Sequence, residues 1–167
     1  LKEGGLGLVT SKKGLGKTSV LVQFGMDTLL KDEQLVHVTF DLHSSNVISW
    51  YDGIFAEIAK KSAGNSAELK TDVVSKRTIL NFSLDNFSVT KVVNTLKALS
   101  AAGIAVKGVV MDGIDFTKVS EDDVKAVADY AQSEKVTVWT SATSEGAKLA
   151  DVVPANLEKY FDVVINL

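Results

Sequence analysis

The segment Ser11-Lys12-Lys13-Gly14-Leu15-Gly16-Lys17-Thr18-Ser19 carries the residue types needed to hold a charged phosphoryl group. Gly16, Lys17 and Thr18 match the end of the pattern G-x-x-x-x-G-K-[ST], and Ser11 stands where the pattern has its first glycine. Gly14 and Gly16 let the backbone curl so that successive N–H groups converge on one anion. A helix starting directly after the loop adds its positive end. Lys17 can reach terminal phosphates. The Thr18 hydroxyl suits Mg²⁺, which binds through few protein oxygens together with the phosphates. The Cβ of Ser11 is expected to restrict the loop. Lys12 and Lys13 are either solvated lysines or extra positive charge over the phosphates.

A second acidic element completes this chemistry. The run Val106 to Asp112 (VKGVVMD) reads as a buried strand ending in an acid. In open α/β sheets, ligands sit at the carboxyl ends of the strands. Asp112 is therefore expected to face Thr18 and hold Mg²⁺ through water, the alternative being an acid that caps a turn.

These residues need a scaffold, and the hydrophobic pattern supplies one. Short apolar runs at 5–10, 35–40, 78–82, 106–112, 136–140 and 161–167 read as six strands. Helical spacing links most of them. Lys17 to Leu30 is one helix. A second follows Ser44 or Ser45 as its cap and carries Val47, Trp50, Tyr51, Ile54, Phe55 and Ile58. A third runs through Val89, Val92, Val93, Leu96 and Leu99 to a C-terminal Gly103, and Ser120 opens a fourth with acids in its first turn. Residues 62–76 read as a loop with room for one short helix. Trp50 and Trp139 are expected in the core. Strands alternating with helices imply a parallel sheet covered on both faces, a doubly wound α/β/α sandwich. The 167 residues fit a single domain over 1–167.

Composition narrows the functions available. There is no cysteine, which excludes disulfides and thiolate metal sites, and two histidines are too few for a histidine-rich one. A net charge of −3 offers no basic field for DNA or RNA, and no strong nucleic-acid binding is expected. No apolar run is long enough to span a membrane. The chain starts at Leu1, reads as an excerpt without a signal peptide, and is expected to be cytoplasmic.

The segments VTSKKGLGKTSVLVQF, LVHVTFD, VKGVVMDGIDF, VTVWTSATSE and FDVVINL, in this order, resemble the RecA-type P-loop ATPase core, and within it the KaiC and DnaB-helicase branch. The resemblance implies ATP and Mg²⁺ as ligands. It implies that the 136–140 strand lies between the loop strand and the Asp112 strand. It places Thr140 to Thr143 near the γ-phosphate, and allows a homo-oligomer whose site is completed by a neighbour's arginine or lysine. The family has a glutamate after the second strand to activate water. Here the region is Phe40-Asp41-Leu42-His43, so Asp41 or His43 takes that place, depending on the alignment. Gly113 after Asp112 removes an Asp-Glu pair, and the one arginine, Arg77, precedes the third strand. A weak or regulatory ATPase follows. Two other readings are a MinD/ParA-like ATPase, in which Lys12 would be the early loop lysine, and a nucleotide-independent interaction module that has lost ATPase activity.

Overall fold

The computed structural model describes residues 1–40, 43–61, 66–83, 88–146 and 148–167, with Ser66 and Leu149 described by backbone alone. The chain runs β1 (Leu6–Ser11), α1 (Lys17–Leu30), β2 (Gln34–Thr39), α2 (Ser44–Lys61), α3 (Ser66–Ser75), β3 (Arg77–Asn81) and α4 (Val89–Ala101). It continues through β4 (Val106–Ile114), α5 (Glu121–Glu134), β5 (Thr137–Thr143), the short α6 (Leu149–Val152), a 3₁₀ turn (Glu158–Tyr160) and β6 (Val163–Asn166).

All six strands pair in parallel, in the order β3-β2-β4-β5-β1-β6. β5 thus separates β1 from β4. Alternation along the strands divides the core into two layers. Leu8, Val38, Met111 and Val138 pack with Val92, Leu96, Val127 and Tyr130 of α4 and α5. Val9, Leu35 and Val110 pack with Leu21, Met26, Tyr51 and Phe55 of α1 and α2. Apolar side chains on both faces explain why the strands read as nearly continuous hydrophobic runs.

The helix boundaries have local causes. Ser120 caps α5 in a reciprocal box: its hydroxyl accepts from the Asp123 N–H at 3.1 Å, and the Asp123 carboxylate accepts from the Ser120 N–H at 2.9 Å. Replacing Ser120 with alanine is expected to cost about 1 kcal/mol, visible as a fall of about 2–4 °C in Tm for a chain of this size. α2 begins at Ser44 itself, so Ser45 lies inside the helix rather than at its cap. Of the residues read as a loop at 62–76, 66–75 form α3, and 62–65 lie outside the described residues.

One core expectation fails. Trp50 is 46% exposed. Val47, Tyr51 and Phe55, four residues apart, take the sheet-facing stripe of α2. Trp50 falls on its flank and lines an open groove with Met26 and Leu30 of α1 and Ile54 of α2. Trp139 is half-buried and stacks on Phe24, with ring centroids 4.3 Å apart.

Candidate functional site

Parallel pairing brings the carboxyl ends of the strands to one edge. Ser11 of β1 is level with Thr143 of β5, and Thr39 of β2 with Asp112 of β4. The loop of residues 12–16 leaves β1 at this edge and enters α1. Gly14 and Gly16 take φ of +85° and +92°, a region costly for residues with a Cβ. A Cβ built on either would meet nothing within 4 Å, so the loop faces open space. Gly16 is the N-cap of α1 and supplies no side chain, so no side-chain cap occupies the first-turn N–H groups. Those donors and the helix dipole are available to an anion. By contrast, α4 and α5 are capped by Ser88 and Ser120.

Ser11 does not strain the loop. It is absent from the residues with positive φ, and its side chain is buried. Its hydroxyl donates to the Lys12 carbonyl at 2.8 Å and accepts from Lys17 Nζ at 3.2 Å. The Lys17 ammonium also donates to the Ser11 and Lys12 carbonyls, each at 3.2 Å. Its three hydrogens are thus matched by three acceptors of the loop. Partial burial lowers the Lys17 pKa from its ordinary 10.5, against the opposing pull of the Asp112 and Glu145 carboxylates.

Thr18, in the first turn of α1, donates its hydroxyl hydrogen to Asp112 Oδ2 at 2.7 Å. The Thr18 oxygen keeps its lone pairs, and the carboxylate keeps further acceptor capacity. Two hard oxygen donors therefore meet beside the loop, the donor set Mg²⁺ prefers. Asp112 is almost buried, at 8% exposure. Its second oxygen, Oδ1, accepts from Ser141 Oγ at 2.6 Å. Gly113 has φ +98°, which a glutamate would adopt only with strain; this is the physical reason an Asp-Glu pair does not fit at 112–113.

The structure thus brings together Ser11, Lys17, Thr18 and Asp112. Lys13, Gly14 and Leu15 are exposed on the loop, and Ser19 lies half-buried in the first turn of α1. Lys12 is exposed and pairs with Glu145 of its own chain at 3.9 Å. His43 is exposed immediately before α2, where its carbonyl accepts from the Asn46 N–H at 2.9 Å. Asp41 lies outside the described residues. Asp115 closes a local turn, accepting from the Thr117 N–H and hydroxyl at 2.9 and 2.6 Å. The Arg77 guanidinium lies over the Tyr51 ring, 5.1 Å from its centroid, in the same chain.

Ser141 and Glu145 are the site neighbours that sequence reasoning missed. A visible signal for Ser141 was a small polar residue in an otherwise apolar, buried strand. Glu145 had no such signal, because its position near Lys12 depends on β5 lying beside β1.

No family model matches the chain, and no curated protein matches it. Its fold is similar to the solved ATPase domain of a DnaB-like helicase, with a TM-score of 0.72 and 13% sequence identity. The match covers 100% of this chain and 70% of that one. At this identity the likeness speaks to fold: a RecA-like α/β/α sandwich around an all-parallel sheet.

Proposed function

We propose that the chain is a nucleotide-binding domain that takes ATP with Mg²⁺ and hydrolyses it weakly or uses it as a regulatory ligand. The observation that carries this reading is the 2.7 Å pairing of Thr18 with Asp112 beside a loop whose helix N-terminus has no side-chain cap. The loop N–H groups and Lys17 would hold the phosphates. Thr18 and Asp112 would hold Mg²⁺, which supplies charge neutralisation between phosphate oxygens. The likeness to the helicase ATPase domain supports the reading through the fold, and the order of the motifs supports the KaiC and DnaB branch.

Weak turnover follows from the residues near the loop. Neither candidate for orienting water, Asp41 or His43, is the family's glutamate. Arg77 is engaged with Tyr51 and stands on edge strand β3. The MinD/ParA-like reading requires Lys12 to serve a neighbouring site, whereas here it is paired within its own chain.

ATP is expected to stabilise the protein in the presence of Mg²⁺. At about 100 times Kd the gain is about 2.7 kcal/mol, read as a rise in Tm and as heat in a calorimetric titration. Absence of both signals at millimolar Mg·ATP would rule the reading out and favour the interaction module.

A further inference from the structure

The second contact of Asp112 goes beyond the phosphate loop. We infer that Ser141 is a positioning residue, which clamps Asp112 so that one carboxylate oxygen is withheld and the other is presented to the metal. This rests on the nucleotide reading above and adds a member of β5 to its site.

The clamp is built on a β-bulge. Met111 is level with Thr140, and Ile114 with Ala142, so two residues of β4, Asp112 and Gly113, oppose one residue of β5, Ser141. Such an insertion leaves a ladder N–H unpaired and re-aims the side chain beside it. Here the Gly113 N–H donates to Ser141 Oγ at 2.9 Å. The φ of +98° at Gly113 is the conformation this bulge uses, and it selects glycine.

Ser141 has one hydroxyl hydrogen. Its oxygen accepts from Gly113, and the hydrogen goes to Asp112 Oδ1 at 2.6 Å, in the range of short charge-assisted bonds. Ser141 is fully buried, so water does not compete for that bond. With Oδ1 held from β5, the carboxylate plane is fixed and Oδ2 points to Thr18 on α1. Residues that hold a metal's own ligands commonly change metal affinity about 10- to 100-fold when removed. Ser141 is therefore expected to govern the metal requirement of nucleotide binding and to leave metal-free binding to the loop and Lys17.

The test titrates a fluorescent ATP analogue into wild type, Ser141→Ala, Ser141→Thr and Ser141→Val, first in EDTA and then with increasing Mg²⁺. In Ser141→Ala the affinity in EDTA is expected to stay within about twofold of wild type. The Mg²⁺ concentration for half-maximal enhancement is expected to rise about 10-fold or more. Threonine and valine have the same shape and differ in the hydroxyl, so Ser141→Thr restores the wild-type Mg²⁺ requirement and Ser141→Val does not. That pair carries the comparison where Ser141→Ala fails to fold. An unchanged Mg²⁺ requirement, or equal losses with and without Mg²⁺, overturns the role of Ser141 and leaves the nucleotide reading standing. A wild type that binds no analogue under either condition overturns both.

Discussion

Replacing Lys17 with alanine is expected to weaken ATP binding about 10- to 150-fold, the equivalent of the roughly 1.5–3 kcal/mol that hydrogen bonds to charged groups contribute. In the ligand-free protein the ammonium is already satisfied by the Ser11 carbonyl, the Ser11 hydroxyl and the Lys12 carbonyl, all at 3.2 Å. A phosphate must therefore take over some of those bonds. It gains a full positive charge in a partly desolvated loop, where such a contact is worth more than in water. Burial also holds the Lys17 pKa below 10.5. Affinity is accordingly expected to decline with rising pH as the ammonium loses its proton, while Lys17→Ala shows no such decline from this group. Isothermal titration of both proteins with Mg·ATP reads the effect. Equal affinities would show that the phosphates lie elsewhere.

Stability is expected to fall as the solution is acidified from about pH 6.5 to about pH 4, by about 3 kcal/mol from His37 alone. His37 sits in the centre of β2, fully buried, with Nδ1 at 2.9 Å from the Tyr51 hydroxyl and Nε2 without a hydrogen-bond partner. Burial pushes its pKa down from 6.5 to about 4; the Asp112 charge opposes this, and the Arg77 charge adds to it. The sign follows from linkage. Above pH 6.5 the ring is neutral in both folded and unfolded chains and contributes no difference. Below it the unfolded chain takes up a proton that the folded chain refuses, so the unfolded state gains until the folded ring also protonates near pH 4. Denaturant melts of wild type and His37→Gln at about pH 7.5 and about pH 4 isolate the contribution. The loss between the two pH values should be smaller in the variant by about 3 kcal/mol, since other groups titrate alike in both. An equal loss in both proteins would mean that the buried ring accepts a proton.

Much of this protein is legible in its sequence because the responsible forces are local. The strand-loop-helix around Gly16-Lys17-Thr18 follows from glycine's conformational freedom and the apolar periods on either side. The six strands follow from buried apolar runs, and the start of α5 follows from the Ser120 box with Asp123. Asp112 was recognisable as the acid at the end of a buried strand. Exposure on a helix flank was less legible: Trp50 shares the apolar period of α2, and only the packing of 47, 51 and 55 against the sheet leaves it outside.

The amino-acid sequence by itself determined the anion-holding loop, the alternation of strands and helices, and the chemical types of the metal-facing pair. Each of these depends on residues within a turn or two of one another. Tertiary structure alone decided that Thr18 meets Asp112 across 94 residues, and that Lys17 is satisfied by its own loop. It also decided that Ser141 closes on Asp112 from β5. These contacts depend on strand order and on a one-residue register shift between β4 and β5. Order and register minimise the free energy of the whole sheet, in which buried N–H groups and carboxylates must find partners, and no short segment encodes that sum.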